Sequence, residues 1–336
     1  MSHSAPLVSV ITPVYNGEAF LAECVESVLA QTYENWEYTI VNNCSNDGTL
    51  QRAQYYANKD RRVRVVSNSR FVDAIENHNI AFRLISTESK YCKLISADDW
   101  IYPECISKLV DLSERNDTVG IVGAYSIHGD EIKHPRLPHH SSVFNGRQVC
   151  RNFLLGSIDV FGSPTTVLYR SSLVRAFDPF FPGPGPSADM AACLICLESC
   201  DFGFVHQILS FERVHDEAVS AKLLELNSFF VDRLEFVVEY GPRYLTQSES
   251  EERISDLLSA YYDYLAAAVF RRPRTEAFWT YHRERLERLG YHLYGTRLAT
   301  AIGMKSMDLL CNPKQTFEKA LRRLIAKPRA GRRSWS

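Results

Sequence analysis

Two adjacent carboxylates, Asp98 and Asp99, follow an apolar run in the segment Tyr91 to Pro103 (YCKLISADDWIYP). Acids side by side at the end of a buried strand repel each other and are poorly solvated, so they require a cation or a donor-rich ligand. A divalent ion bridging protein carboxylate and ligand diphosphate would supply that partner, and hard oxygen ligands favour Mg²⁺ or Mn²⁺. The other reading of the same residues is a helix cap with an acid in the first turn, because Pro103 suits an early helical position.

Other chemistries find less support. Cys193, Cys196 and Cys200 share a helical face, but Leu194 and Leu197 lie among them and no second Cys/His cluster follows, which indicates a core helix and not a zinc site. His139 and His140 sit in a loop and read as solvated. No GxxxxGK[ST] loop is present, which weighs against an ATPase.

The elements that must position the acids are legible from periodicity. Leu7 to Thr12 and Trp36 to Val41 are β-branched runs, the first ended by Pro13, and helical spacing of Phe20, Leu21, Cys24, Val25, Val28 and Leu29 lies between them. Further strands are expected at Val63 to Val66, Tyr91 to Ile95, Val119 to Tyr125 and Thr165 to Tyr169, with helices at about 49–57 and 71–85. The alternation predicts an α/β fold with a doubly wound, mostly parallel sheet, whose ligands bind beyond the carboxyl ends of the strands. After Pro179, FFPGPGPSAD is too rich in Pro and Gly for regular structure. From about Ala221 the pattern is helical, and Ser248 with Glu251 reads as a capping box.

The segments VSVITPVYN (8–16), EYTIVNNCSNDGT (37–49) and SADDW, in this order and spacing, closely resemble the family 2 glycosyltransferases of GT-A fold over residues 6–110. The resemblance implies that Thr12, Pro13 and Tyr15 line a base pocket, with Tyr15 stacking on the ring. It places Asn43 and Asp47 in the base-binding loop, Asp98 on the ribose and Asp99 on the metal, Mn²⁺ or Mg²⁺. Here the chain departs from the pattern, with Asn42 and Asn43 where Asp is usual and Cys44 where Gly is usual. Arg70 stands about where a base- or phosphate-contacting arginine is expected; a solvated loop arginine is the other reading.

The family's reaction is a single inverting displacement that needs a carboxylate to take the acceptor proton. Asp189 in PSADM fits that role by following the Pro/Gly loop and preceding the apolar run Met190 to Leu197, although a first-turn helix acid would look the same. GSPTTVLYR (162–170) resembles the acceptor-side strand, with Ser163, Thr165 and Thr166 as sugar or acceptor contacts or as ordinary turn residues. FERVHDEAVS (211–220) resembles an R-x-H element, which puts His215 on the metal or the diphosphate, or in a structural place, with Arg213 beside it as a sugar or acceptor contact.

At 336 residues, 45% hydrophobic and 12% aromatic, the chain has material for a large domain and an appendage. Expected divisions are a nucleotide-sugar-binding and catalytic domain over 1–215, a helical region over 216–310 and a basic amphipathic tail over 311–336. Residues 312–336 hold eight basic residues and one acid, a net +7 against −9 elsewhere. With Phe317, Leu321, Leu324 and Ile325 on one face, this tail reads either as an anionic-membrane contact or as a helix packed on its own domain. Nine scattered Cys and the absence of a leader pattern point to a cytoplasmic protein, peripheral at most to the membrane's inner face. The expected partners are a nucleotide-sugar donor, UDP-linked first, and a glycan or lipid-linked acceptor in surface polysaccharide or glycolipid synthesis; nucleic acid is not expected. The rival reading is a catalytically inactive nucleotide-sugar-binding or scaffolding homologue, motivated by Asn42 and Asn43.

Overall fold

A computed structural model describes residues 5–133, 135–183, 187–215, 226, 228–270 and 275–311. The basic tail from Asn312, residues 216–225 after the R-x-H element and 184–186 of the Pro/Gly loop lie outside the described residues.

The β-branched runs form parallel strands β1 (Val8–Val14), β2 (Trp36–Asn42), β3 (Val63–Ser67) and β4 (Tyr91–Leu94). Their connections include α1 (Leu21–Leu29), α2 (Thr49–Lys59) and α3 (Ala74–Arg83). The apolar stripe of α1, Leu21, Cys24, Val25 and Val28, is buried in the same core as Val8, Val10, Tyr38 and Ile40 of the sheet. Strand β1 runs through Pro13 to Val14, two residues beyond the expected end. It can do so because β4 pairs with β1 only as far as Ile11 opposite Leu94, so the missing Pro N–H falls where β1 has lost one neighbour. Helix α3 starts at Ala74, not near Phe71, because the Asp73 carboxylate caps it by accepting from Glu76 N at 2.9 Å.

After the acids come β5 (Trp100–Ile101), α4 (Cys105–Glu114), β6 (Val119–His128), β7 (Glu131–Ile132), β8 (Val143–Phe144) and α5 (Gly146–Leu154). Next are β9 (Val167–Arg170), α6 (Ser171–Ala176), α7 (Ala188–Cys196) and β10 (Asp201–Glu212). The sheet order is β3-β2-β1-β4-β9-β6-β10-β5, with β7 on β6 and β8 on β10. β9 runs antiparallel between β4 and β6, and β10 is parallel to β6, so the sheet is mostly parallel and mixed at its centre. The expected strand over 165–169 begins at Val167 because Pro164–Thr166 is a 3-10 turn.

By internal contacts the chain divides into Met1–Glu225 with Glu239–Ser250, and Leu226–Val238 with Glu251–Ser336. The C-terminal helices are α8 (Phe229–Tyr244), α9 (Gln247–Val269), α10 (Glu276–Arg288) and α11 (Thr296–Cys311). The capping box opening α9 is Thr246 with Glu249, in which each accepts from the other's backbone N–H, and not Ser248 with Glu251. The second unit is cored by stacked Phe230 and Tyr261 and by buried His282, whose ring nitrogens meet Tyr261 Oη at 2.5 Å and Leu226 O at 2.8 Å. Buried Arg285 pairs there with Asp232 at 2.8 Å and with Glu235. Among the described residues no helix is long and apolar enough to cross a membrane.

Candidate active site

Strand β4 stops at Leu94, and the next five residues bring Asp98 and Asp99 to the carboxyl edge of the parallel strands. Asp99 is buried, with Thr165 Oγ1 donating to its Oδ2 at 2.6 Å and Arg213 N donating to its Oδ1 at 3.0 Å. Burial and the neighbouring Asp98 charge push its carboxyl up to about 7. Below it the fully buried Lys93 ammonium donates to the carbonyls of Thr165 and Val167, and burial lowers its pKa. Asp98 stays partly open to solvent, and its Oδ2 lies 3.0 Å from His215 Nε2. Arg213 braces the acidic turn by donating from Nε to the Asp98 carbonyl at 3.0 Å and from its guanidinium to Glu23 at 2.5 Å.

The two acids differ in how far their oxygens are already engaged. Asp99, 5% exposed and engaged at both oxygens, anchors the turn, while Asp98 is the carboxylate with an open side and a histidine beside it. Their donor chemistry fits a small divalent cation, because such ions in nucleotide sites take one or two protein groups and complete their shell from phosphate oxygens and water. Among the described residues no three His, Cys, Asp or Glu side chains gather to hold an ion alone. Ligand oxygens would therefore have to finish the shell.

Asp189 occupies the first turn of α7, and burial pushes its carboxyl up to about 7. Its backbone N–H and that of Met190 pull the other way, as does Lys133, while the Glu212 charge raises it further. Glu212, which also raises Asp99, was not singled out by sequence reasoning. It ends β10 as a buried acid held by the Ser126 hydroxyl and by Lys133 at 3.5 Å. The available signal was an acid immediately before Arg213 in FERVH. β10 itself was hidden because register shifts between Val205 and Ile208 and between Ile208 and Ser210 break its alternation.

The remaining candidates divide by whether their polar atoms are free. Thr12 is fully buried, and its hydroxyl is committed to Ile95 O at 2.9 Å and Tyr38 Oη at 2.8 Å, so it joins β1 to its neighbours instead of facing a base. Pro13 is buried in β1, whereas Tyr15, just beyond it, is 48% exposed. Asn43 is buried and spends its amide on both backbone groups of Val72. Asp47 accepts from Thr49 N and Oγ1 and from Glu18 N; these bonds outweigh its burial and hold the carboxyl below its ordinary value. Arg70 is exposed, with no hydrogen-bond or ion-pair partner among the described residues. Thr165 and Thr166 are buried, the first bonded to Asp99 and the second to Ser163 O, so neither offers its hydroxyl to a sugar. Ser163 keeps an enclosed hydroxyl with no hydrogen-bond partner among the described residues.

The loops after β1 and β2 are stitched together. Gly48 N donates to Glu18 Oε2 at 2.8 Å, Asn46 N to Asn16 Oδ1 at 3.0 Å and Gly17 N to Thr49 Oγ1 at 2.8 Å. A Cβ on Gly48 would stand 2.3 Å from Glu18 Oε1, so a larger residue there would displace the Glu18 carboxylate. Cys44 adopts φ 56°, the left-handed conformation that favours Gly.

The sequence model described as "Glycosyl transferase family 2" matches residues 9–177. An uncharacterized glycosyltransferase of Haemophilus influenzae is 36% identical over 36% of this chain and 37% of its own. The putative teichuronic acid biosynthesis glycosyltransferase TuaG of Bacillus subtilis is 30% identical over 48% of this chain and 63% of its own. The chain thus covers less than two thirds of these curated relatives. Among solved structures, S. aureus TarS 1-349 in complex with UDP-GlcNAc superposes with a TM-score of 0.62 at 15% identity, over 83% of this chain and 79% of that one. Mannosyltransferase PcManGT from Pyrobaculum calidifontis, in complex with GDP-Man and Mn2+, gives 0.53 at 16% identity, over 96% and 86%. At such identities the likeness establishes the fold, a GT-A-like α/β sheet with a helical C-terminal region.

Proposed function

Because the chain belongs to glycosyl transferase family 2, we propose that it transfers a sugar from a nucleoside diphosphate donor to a hydroxyl acceptor, with inversion at the anomeric carbon. The observation that carries this reading is the crowding of carboxylates at one sheet edge, with Asp98 open beside His215 and Asp189 raised to about 7. A carboxyl near 7 is ionised enough to accept a proton at neutral pH and basic enough to hold it. Asp189 takes the acceptor hydroxyl proton as that oxygen bonds to the anomeric carbon; the bond to the diphosphate breaks on the opposite face and its electron pair leaves with the nucleotide. Asp98 and His215 would hold a divalent cation, which supplies positive charge to the leaving diphosphate when bound. Arg213 and Thr165 keep the acids in place, and the Ser163 hydroxyl is left for the sugar or acceptor.

The acceptor is proposed to belong to surface polysaccharide synthesis, as the name of the teichuronic acid relative suggests. Donors linked to uridine lead, and TarS with UDP-GlcNAc supports them, while PcManGT with GDP-Man keeps guanosine in view. The test is a screen of UDP-, dTDP- and GDP-sugars for nucleoside diphosphate release with Mn²⁺ or Mg²⁺ and with chelator. Release with at least one donor that chelator abolishes is the expected result. Binding of donor with no turnover under any metal and acceptor would favour the inactive homologue.

Membrane contact through the tail is a separate proposal, supported by its net +7 and by Met304, Met307 and Leu310, which are exposed at three-residue spacing on α11 just before it. Flotation on anionic liposomes should be lost on deleting 312–336. Equal flotation of both forms rejects this proposal.

A further inference from the structure

One face of α3 is spent on the start of the Pro/Gly segment. Asn79, itself buried, donates from Nδ2 to Phe181 O at 3.1 Å and accepts from Phe181 N at 2.8 Å, so one side-chain amide satisfies both backbone groups of a residue 102 positions away. His78 stacks on the Phe181 ring with centroids 5.7 Å apart, and Phe82 meets Phe180 and Phe181 edge to face at 4.7 and 4.9 Å. Arg83 Nε donates to Asp178 Oδ1 at 2.8 Å. Positions 78, 79, 82 and 83 are neighbours on a helix surface, so a single face of α3 grips residues 178–181.

The contacts continue toward α7. Phe180 meets the Tyr169 ring edge to face at 5.2 Å, and Tyr169 Oη lies 3.6 Å from Cys193 Sγ. Cys193 stands four residues after Asp189, which places both on the same side of α7. Phe180, Phe181, Tyr169 and Cys193 are all buried, and a close-packed run of this kind transmits displacement and keeps water from the carboxyl beside it. The titratable and charged groups acting around Asp189 are Tyr169 from β9, Cys193 from its own helix, Glu212 from the end of β10 and Lys133 after β7. Burial pushes Tyr169 and Cys193 well up and keeps them neutral, while Glu212 and Lys133 act on Asp189 in opposite senses. What the aromatic wall controls is therefore access of water.

We propose that Asn79 is a positioning residue for the transfer reaction: by pinning Phe181 it holds Phe180 and Tyr169 against α7 and keeps Asp189 in place and dry. This rests on the reading of Asp189 as the base. It ties α3, a helix among the first four strands, to the helix that carries the base.

Single-turnover transfer against pH tests it, with the donor that supports release in the screen above and with affinity for its nucleoside diphosphate measured by calorimetry. Asn79→Ala is compared with Phe180→Leu, a milder change that keeps apolar volume but removes the ring against Tyr169. In both, the rate at saturating donor should fall by about 10- to 100-fold with nucleotide affinity unchanged. The midpoint of the rise in rate with pH should move from about 7 to below about 6, as water returns to the carboxyl. In the double variant the losses should not multiply, because both changes act through the same rings. Structural damage alone would lower the melting temperature and leave the midpoint of the surviving activity at about 7. That result, multiplied losses, or a loss confined to nucleotide affinity overturns the proposal. A wild-type rate with no rise through about 7 overturns instead the assignment of Asp189 as base, and it is distinct from a wild-type rise that both variants leave in place.

Discussion

The loops after β1 and β2 and the acidic turn after β4 lie at the same edge of one sheet, and they use polar groups in opposite ways. In the first region Asn42, Asn43, Asp47 and Glu18 are satisfied by neighbouring backbone, and aromatic rings face out. In the second, Asp98 lies beside Asp99, and burial raises the carboxyl of Asp99, like that of Asp189 at the start of α7, to about 7, so these acids are poorly solvated. A region that satisfies itself can hold a ligand, whereas one that carries poorly solvated acids can respond to a cation or take a proton. Substitutions in the first should act on binding and stability, and substitutions in the second on turnover.

The largest effect is expected at Asp98. Losing the open carboxylate beside His215 should lower turnover of Asp98→Asn by about a thousandfold, since cation stabilisation of a leaving diphosphate supplies several kcal/mol. Circular dichroism should be unchanged. If only donor affinity fell, the contrast between the regions would fail. Asp99→Asn should cost less, about 10- to 100-fold in turnover, because Asp99 acts through the turn it anchors. A loss as large as that at Asp98 would restore the metal to Asp99.

Thr165→Val removes the hydroxyl that donates to Asp99 and accepts from Ser96 N at 3.0 Å. Leaving that N–H unpaired should cost about 1–3 kcal/mol of stability by urea unfolding. Thr165→Ser should recover most of it. The smallest effect lies on the base side and has the opposite sign: Cys44→Gly relieves a left-handed residue at φ 56° and should stabilise by about 1 kcal/mol without changing turnover. A change in turnover there would show that the two regions are not separable.

The frame of the sheet was legible because its strands are β-branched runs and its first helix carries a clean apolar stripe. β10 was not, because a bulged strand with His206 and Gln207 at its middle loses the alternation that marks a strand. At the site, residue type announced the acids, His215 and Arg213, but not which atoms stay free. Nothing in TPVYN says that the Thr12 hydroxyl is fully enclosed, and nothing in NNCSND says that Asn43 pairs with a residue 29 positions away. Such commitments depend on long-range packing. Glu212 escaped notice for the same reason: its importance lies in burial between Ser126 and Lys133, from other parts of the chain.

Asp189 carries the central claim, and its ionisation also bears on stability. Because burial raises its carboxyl from 3.8 to about 7, the folded chain binds that proton more tightly than the unfolded chain. Stability from this group is full below about 3.8 and is lost as pH rises through about 7. Asp189→Asn should therefore melt a few degrees above wild type at pH 8 and level with it near pH 4.

The most direct measurement is the single-turnover rate of sugar transfer against pH for wild type and Asp189→Asn with saturating donor. The wild-type rate should rise with pH through an apparent pKa of about 7, as a base that must lose its proton requires. Asp189→Asn should bind donor normally and run about 10² to 10⁴ slower, with that rise gone. A variant that keeps more than about a tenth of the wild-type rate and the same pH profile would show that another group takes the proton.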